Sequence, residues 1–160
     1  MPMKITTLLI AALLFSSVMF AQKGVEDGSK YGHGEDSLRC LENLSLYSEY
    51  YKQRNIKEAY PYWEIVFNEC PASSMNIYSH GENMVQAMYK GTKDAAKKEE
   101  LYSLLMKVYD QRIKYFGTHS KYPTAYINGK KAVSMLQYKR DDAEVVKEAH
   151  TLLKESVGIR

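Results

Sequence analysis

The sequence predicts an all-α fold, and three observations favour it. Apolar residues recur at intervals of three and four, as in the final segment with Ala143, Val146, Ala149 and Leu153, which is the spacing of one helix face. No segment alternates polar and apolar residues over a useful length, so essentially no sheet is expected. Glycines, prolines and short polar breaks divide the chain beyond residue 36 into helix-length segments. At 160 residues the chain has room for one domain.

The first 21 residues have the order of a secretory signal peptide. MPMKITTLLIAALLFSSVMFA has a short basic start, an apolar run and a final small residue, and the run is short of the ~20 residues that a spanning helix needs. A retained membrane anchor is the alternative. We expect a mature chain that begins near Gln22, with no membrane span after signal removal, in a compartment that permits disulfides. Residues 22–35 are rich in glycine and charge and predict a flexible leader.

A helical domain is predicted over residues 36–157. Its six helices are expected at about 37–53, 56–69, 74–89, 93–116, 123–138 and 141–156. Asp36 or Ser37 is expected to cap the first helix, and Pro71 ends the second because proline excludes the preceding residue from the α region. Gly91 and Gly117 are expected to close the third and fourth helices in the left-handed conformation.

The last two helices also carry start signals. Pro123 suits the first turn of the fifth helix, and Asp141 or Asp142 is expected to cap the sixth. Because the connections between the helices are brief, neighbouring helices must pair antiparallel. Three helical hairpins are therefore predicted.

A repeat pattern runs through the first hairpin. In a 34-residue frame that starts at Cys40, positions 7, 11, 20, 24, 27 and 32 are Leu46, Tyr50, Ala59, Trp63, Val66 and Pro71. This pattern resembles the tetratricopeptide repeat, in which the small residue at 20 lets two helices approach and the aromatic residue at 24 fills the gap. The resemblance implies a right-handed α-solenoid of about three antiparallel hairpins. An ordinary helical bundle is the alternative.

The resemblance extends to the other hairpins in weaker form. Frames from Ser74 and Tyr122 place Gly81 and Gly129 at position 8, where the family prefers a small residue, whereas the first repeat has Tyr47 there. The segments YKQRNIKEAYPYWEIVFNECP and YDQRIKYFG are also similar to the N-terminal part of larger exported tetratricopeptide proteins of the Bacteroidetes. That similarity implies a location in the periplasm or at the outer membrane of a Gram-negative bacterium. It also implies either a truncated gene product or a chain whose last hairpin packs against something else.

The two cysteines are expected to form a disulfide. Cys40 precedes the turn at Arg54 and Asn55 by about as many residues as Cys70 follows it, so an antiparallel hairpin brings both to its open end. In an oxidising compartment the bond would close a loop of ~30 residues and contribute about 2 to 4 kcal/mol. Two free buried thiols are the alternative.

Several function classes lack support in the sequence. The formal charge of +3 comes from 22 basic and 19 acidic residues that are interleaved, so no basic stripe points to nucleic acid. The four histidines, His33, His80, His119 and His150, have no metal-ligand spacing. No acid and base pair can be singled out. We expect a non-enzymatic protein without metal or cofactor.

The resemblance also implies a binding surface, because the first helix of each tetratricopeptide hairpin lines a concave groove. The groove residues it implies are Leu41, Leu44, Ser48, Tyr51, Lys52, Met75, Tyr78, Glu82, Val85, Gln86, Tyr126, Lys130, Val133 and Ser134. Tyrosine offers an apolar ring and a hydrogen-bonding tip, which suits a peptide or a helix. These positions lack the several Lys and Arg residues with which chaperone-binding members hold a terminal carboxylate.

The sequence therefore favours a scaffold that binds a protein or peptide partner in the cell envelope. The alternatives are a structural helical subunit or fragment of a larger envelope assembly, which could self-associate, and a carbohydrate-binding module, since aromatic grooves also hold sugars.

Overall fold

The computed structural model describes residues 28–158. The predicted signal peptide and the first part of the predicted leader lie outside these residues. The described part of the chain contains six helices and no strand, so the all-α prediction is confirmed. The helices are α1 Glu35–Lys52, α2 Ile56–Glu69, α3 Asn76–Gly91, α4 Ala95–Phe116, α5 Thr124–Lys139 and α6 Ala143–Ser156.

Side-chain caps account for several helix starts. The side chain of Asp94 accepts hydrogen bonds from the first turn of α4, Asp142 does the same for α6, and Asn55 accepts from the Glu58 amide of α2 at 3.4 Å. The start of α1 differs from the prediction, because Gly34 stands before the helix with φ 57° and no side chain caps it. Asp36 lies inside the first turn of α1, where its negative charge interacts favourably with the positive end of the helix dipole.

Two glycines, Gly91 and Gly117, stand at helix ends without the conformation that the sequence predicted. Gly91 is the last residue of α3 and does not have positive φ, and Gly117 follows α4 with φ −65°. The left-handed closure predicted at both is therefore wrong. A Cβ on Gly117 would overlap the Ile113 carbonyl oxygen and Thr124 Oγ1, so the close approach of α4 and α5 requires glycine here.

Consecutive helices pair into three antiparallel hairpins. The most extensive contacts join α1 with α2, α3 with α4, and α5 with α6, and smaller contacts join α2 with α3 and α4 with α5. In each hairpin a side-chain contact joins the start of the first helix to the end of the second: Arg39 with Glu69, Tyr78 with Phe116, and Asn128 with Glu155. Substantial contacts in the described part are thus all between sequence neighbours.

The main core lies where the first two hairpins meet. Trp63 is fully buried, stacks on Phe67 at 4.8 Å between ring centroids, and donates from Nε1 to the Ile77 carbonyl at 2.7 Å. A Cβ on Gly81 would overlap the Trp63 indole. Ala59 is also fully buried beside them. The alanine, tryptophan and glycine that the repeat frame singled out therefore form the seam between these hairpins.

The two cysteines meet at the open end of the first hairpin. The sulfur atoms of Cys40 and Cys70 lie 2.03 Å apart, a disulfide distance, with their Cα atoms 6.2 Å apart. Both side chains are buried. The pair joins the first half of α1 to the residue that follows α2.

Candidate functional site

An open groove of about 490 Å³ lies between α3 and α5 and reaches the end of α6. We call it the α3–α5 groove. Its lining residues are Glu82, Gln86, Ala125, Tyr126, Gly129, Lys130, Val133, Ser134, Gln137, Leu153 and Ser156. Of the predicted binding residues, the structure brings together Glu82, Tyr126 and Lys130 in this groove, along with Gln86, Val133 and Ser134.

Two exposed apolar side chains mark the groove. Tyr126 is 44% exposed and Val133 is 58% exposed, and both are among the few large apolar residues in the described part that face solvent. They lie seven residues apart on α5, so they share one helix face, two turns apart. The groove therefore offers an apolar strip that a partner could cover.

An ion pair crosses the groove between these two residues. Lys130 Nζ on α5 lies 2.7 Å from Glu82 Oε2 on α3. Glu82 is only 6% exposed, and a buried carboxylate needs a partner of opposite charge to be tolerated. The pair therefore joins the second hairpin to the third and fixes the positions of both walls.

A second polar contact lies beneath the groove. The hydroxyl of Tyr109 on α4 is 2.9 Å from Ser134 Oγ on α5, and both residues are buried. Burial raises the pKa of Tyr109, and the negative charge of Glu82 raises it further. The Tyr109 hydroxyl therefore stays protonated and can hold its hydrogen bond.

Tyr78 does not line any groove, and the prediction that it does is wrong. It is 0% exposed, and its ring packs edge-on against Phe67 and Phe116. Its hydroxyl donates to the Pro71 carbonyl at 2.8 Å. Burial raises its pKa. The ends of α2 and α4 cover the start of α3, so this tyrosine belongs to the core.

The five predicted residues on α1, namely Leu41, Leu44, Ser48, Tyr51 and Lys52, lie apart from the α3–α5 groove. Tyr51 stacks on His80 of α3 with ring centroids 3.9 Å apart, and its hydroxyl accepts a hydrogen bond from Asn83 at 2.9 Å. Leu44 is half-buried against the main core, whereas Leu41 and Lys52 are exposed. None of the five lines the groove.

The sequence reasoning missed the contribution of α6. Leu153 and Ser156 line the groove, although the repeat frame assigns groove positions only to the first helix of each hairpin. Gly129 explains their approach, because a Cβ there would lie 3.4 Å from Ser156 Cβ. The glycine at position 8 of the third frame was the available signal that α6 comes close at this point.

The groove defines a class of site rather than a reaction: an open, partly apolar surface on an all-helical hairpin protein. Within residues 28–158, no group of three or more His, Cys, Asp or Glu residues could hold a metal ion. No helix in the same range is long and apolar enough to cross a membrane. No protein-family model, curated protein or solved structure matches the chain.

Proposed function

We propose that this chain is a non-enzymatic, tetratricopeptide-like scaffold that binds a peptide or protein partner through the α3–α5 groove. In this proposal the three hairpins stack as a right-handed solenoid. Helices whose most extensive contacts are with their sequence neighbours are typical of such stacks. The packing of Gly81 against Trp63 also supports the proposal, because the repeat frame requires a small residue and an aromatic residue at these positions.

One observation carries the binding proposal: exposed Tyr126 and Val133 lie on the same face of α5, with the Glu82–Lys130 ion pair nearby. The ion pair keeps the groove walls in place before a partner arrives, so little ordering is needed on binding. A rigid tyrosine beside a valine suits the apolar face of a helix or an extended peptide.

An exported location in the periplasm or at the outer membrane is part of the same proposal. The cysteine pair at disulfide distance supports an oxidising compartment. The signal-like order of residues 1–21 supports export.

A capture experiment with matched surface variants tests the groove. The chain is immobilised and exposed to a crosslinked envelope fraction of a Bacteroidetes species, beside a Tyr126→Ala/Val133→Ser variant and a Val157→Ser control. Val157 is 68% exposed and does not line the groove. We expect the double variant to bind the captured partner at least about tenfold more weakly, with the control unchanged. Equal capture by all three chains would overturn the groove proposal.

Self-association is a second candidate function, favoured by Leu38 and Leu41 on α1. Leu38 is 69% exposed, and Leu41 is exposed one helical turn further on. Such an apolar edge on the first helix of the described part suits contact with a second copy of the chain. Sedimentation that shows concentration-dependent dimers, lost in a Leu38→Ser/Leu41→Ser variant, would support it, and a monomer at all concentrations would exclude it.

A further inference from the structure

The turns that close the first and second hairpins lie side by side and carry a basic surface. The start of α2 and the last part of α3 line one open cleft of about 490 Å³, which places the turn before α2 next to the turn after α3. Residues 52–58 and 90–95, which contain these turns, have five basic side chains and two acidic ones. The basic residues, all exposed, are Lys52, Arg54, Lys57, Lys90 and Lys93.

The protein does not neutralise these charges itself. Within residues 28–158 none of the five basic side chains forms an ion pair. Of the two acidic residues, Asp94 accepts hydrogen bonds as the cap of α4, and Glu58 lies in the first turn of α2. At the opposite end of the same hairpins, residues 35–40, 69–76 and 113–117 have three acidic and two basic side chains. The turns are therefore the positive end of the two hairpins.

Three of the five basic residues stand where local structure disfavours them. Arg54 has φ 61°, a left-handed conformation that costs least for glycine. Lys57 is the second residue of α2, and Lys93 directly precedes the cap of α4, so each places a positive charge at the positive end of a helix dipole. Residues that break local rules without a compensating contact point to a function.

The cleft between the two turns is mainly apolar. Ile56, Tyr60, Ala87 and Met88 line it, together with exposed Lys57. The Tyr60 hydroxyl donates to a Glu64 carboxylate oxygen at 3.2 Å, so the polar tip of this side chain is already engaged within α2. Exposed cations around an apolar cleft suit a partner that has anionic groups at its surface and hydrocarbon beneath them.

We propose that the five basic residues and the cleft, together called the turn-end surface, bind an anionic lipid bilayer. The cations meet lipid phosphate groups, and the apolar residues of the cleft contact the hydrocarbon below them. Each Lys or Arg near an anionic membrane adds to the attraction, which salt screens. None of these residues lines the α3–α5 groove. The proposal therefore does not rest on the proposed function, and one chain can hold a membrane and a partner at the same time.

Vesicle binding tests the turn-end surface. The chain, purified from cells that express the full sequence, is sedimented with vesicles of phosphatidylcholine alone or of phosphatidylcholine and phosphatidylglycerol in equal amounts. The measured quantity is the preference for anionic over neutral vesicles. We expect Lys57→Ser/Lys93→Ser to lower this preference by at least about tenfold. The matched control is Lys121→Ser/Lys154→Ser, which removes the same charge before α5 and in the last turn of α6, and it should keep most of the preference.

Four results of this experiment would overturn the proposal. The first is a parent chain without a preference for anionic vesicles, and the second is an equal loss in the two double variants. The third is a preference that high salt leaves unchanged. The fourth is binding to polyglutamate without a vesicle preference, which would assign the surface to an acidic polypeptide.

Methionine-methyl nuclear magnetic resonance locates the contact. Met88 lines the cleft, whereas Met106 lies on α4 outside it, and both are half-buried. The chain is bound to nanodiscs that contain spin-labelled phosphatidylglycerol, and Met88→Leu and Met106→Leu variants assign the two signals. We expect the spin label to broaden the Met88 signal much more than the Met106 signal. Equal broadening would contradict binding through the turn-end surface.

An Arg54→Gly variant separates lipid binding from a structural role. Glycine adopts the left-handed conformation without strain, so the Tm should be equal to or above that of the parent chain, while the vesicle preference falls several-fold. A lower Tm would show that Arg54 stabilises the turn and would contradict the argument. Tyr126→Ala/Val133→Ser should keep the vesicle preference, so failure of partner capture and failure of the turn-end surface are distinguishable.

Discussion

The first and last hairpins of this protein are built from the same elements but differ in how firmly they are held. The α1–α2 hairpin has the Cys40–Cys70 pair, and its buried Trp63 contacts α3 through a hydrogen bond. The α5–α6 hairpin contributes Ile127 to the main core and has a smaller separate buried cluster of Ala132, Met135 and Ala149. One wall of the α3–α5 groove and its end at α6 belong to this last hairpin. The firmer packing and the proposed binding surface thus lie towards opposite ends of the described part of the chain.

The largest expected difference between the two ends concerns their central apolar residues. Trp63→Ala should destabilise the fold by about 3 to 5 kcal/mol, because it leaves a cavity and removes the donor to the Ile77 carbonyl. Leu153→Ala in α6 should lower the free energy of unfolding by only about 1 kcal/mol, because Leu153 is half-buried. Urea unfolding measures both. Equal losses would mean that the last hairpin is as firmly packed as the first.

The two glycines at position 8 sharpen the same comparison. A Cβ on Gly81 would overlap the Trp63 indole, whereas a Cβ on Gly129 would make an ordinary contact with Ser156. Gly81→Ala should therefore destabilise by about 1 to 3 kcal/mol. Gly129→Ala should be neutral or slightly stabilising, since alanine favours a helix. Thermal unfolding of the two variants measures the difference. A Gly81→Ala variant with an unchanged Tm would contradict the tight packing of Gly81 against Trp63.

The smallest expected effect is a pH dependence that originates at the first end of the chain. His80 on α3 stacks on Tyr51 and meets Tyr47 edge-on, both on α1, and its Nδ1 is buried without a partner in the described part. Burial lowers its pKa below the unfolded value, so folding favours the neutral ring. The resulting stability is complete above the unfolded pKa of about 6.5 and is lost as the pH falls towards the folded pKa.

Comparing Tm at pH 7.5 and pH 5 in the parent chain and in His80→Gln checks this sign. The parent should lose more stability on acidification than the variant, because the variant cannot take up that proton. An identical loss in both chains would exclude His80 as the source. A smaller loss in the parent would reverse the expected sign.

Local rules predicted much of the fold, because caps, prolines and helix periodicity act within a few residues. The bounds of α2 and the Asp142 cap follow from such rules, and the pairing of Cys40 with Cys70 needs only the antiparallel hairpin in addition. These features can be predicted without knowing how the hairpins pack against one another. The same is true of the all-α class itself.

The site was less predictable, because the exposure of its residues depends on which helices pack over them in the tertiary structure. Tyr78 occupies a groove position in the repeat frame, yet neighbouring helix ends bury it completely. Gly117 carries the sequence signal of a left-handed closure, yet crowding against Thr124 is what requires it.

Photo-crosslinking from the two ends of the chain tests the central claim most directly. A photoreactive amino acid is placed at Val133 in the α3–α5 groove, and in a second chain at exposed Leu38 on α1. Both chains are irradiated in the same envelope fraction. We predict that the partner crosslinks from position 133 and not from position 38. A partner that crosslinks only from position 38 would place binding on the first hairpin and contradict the division of roles.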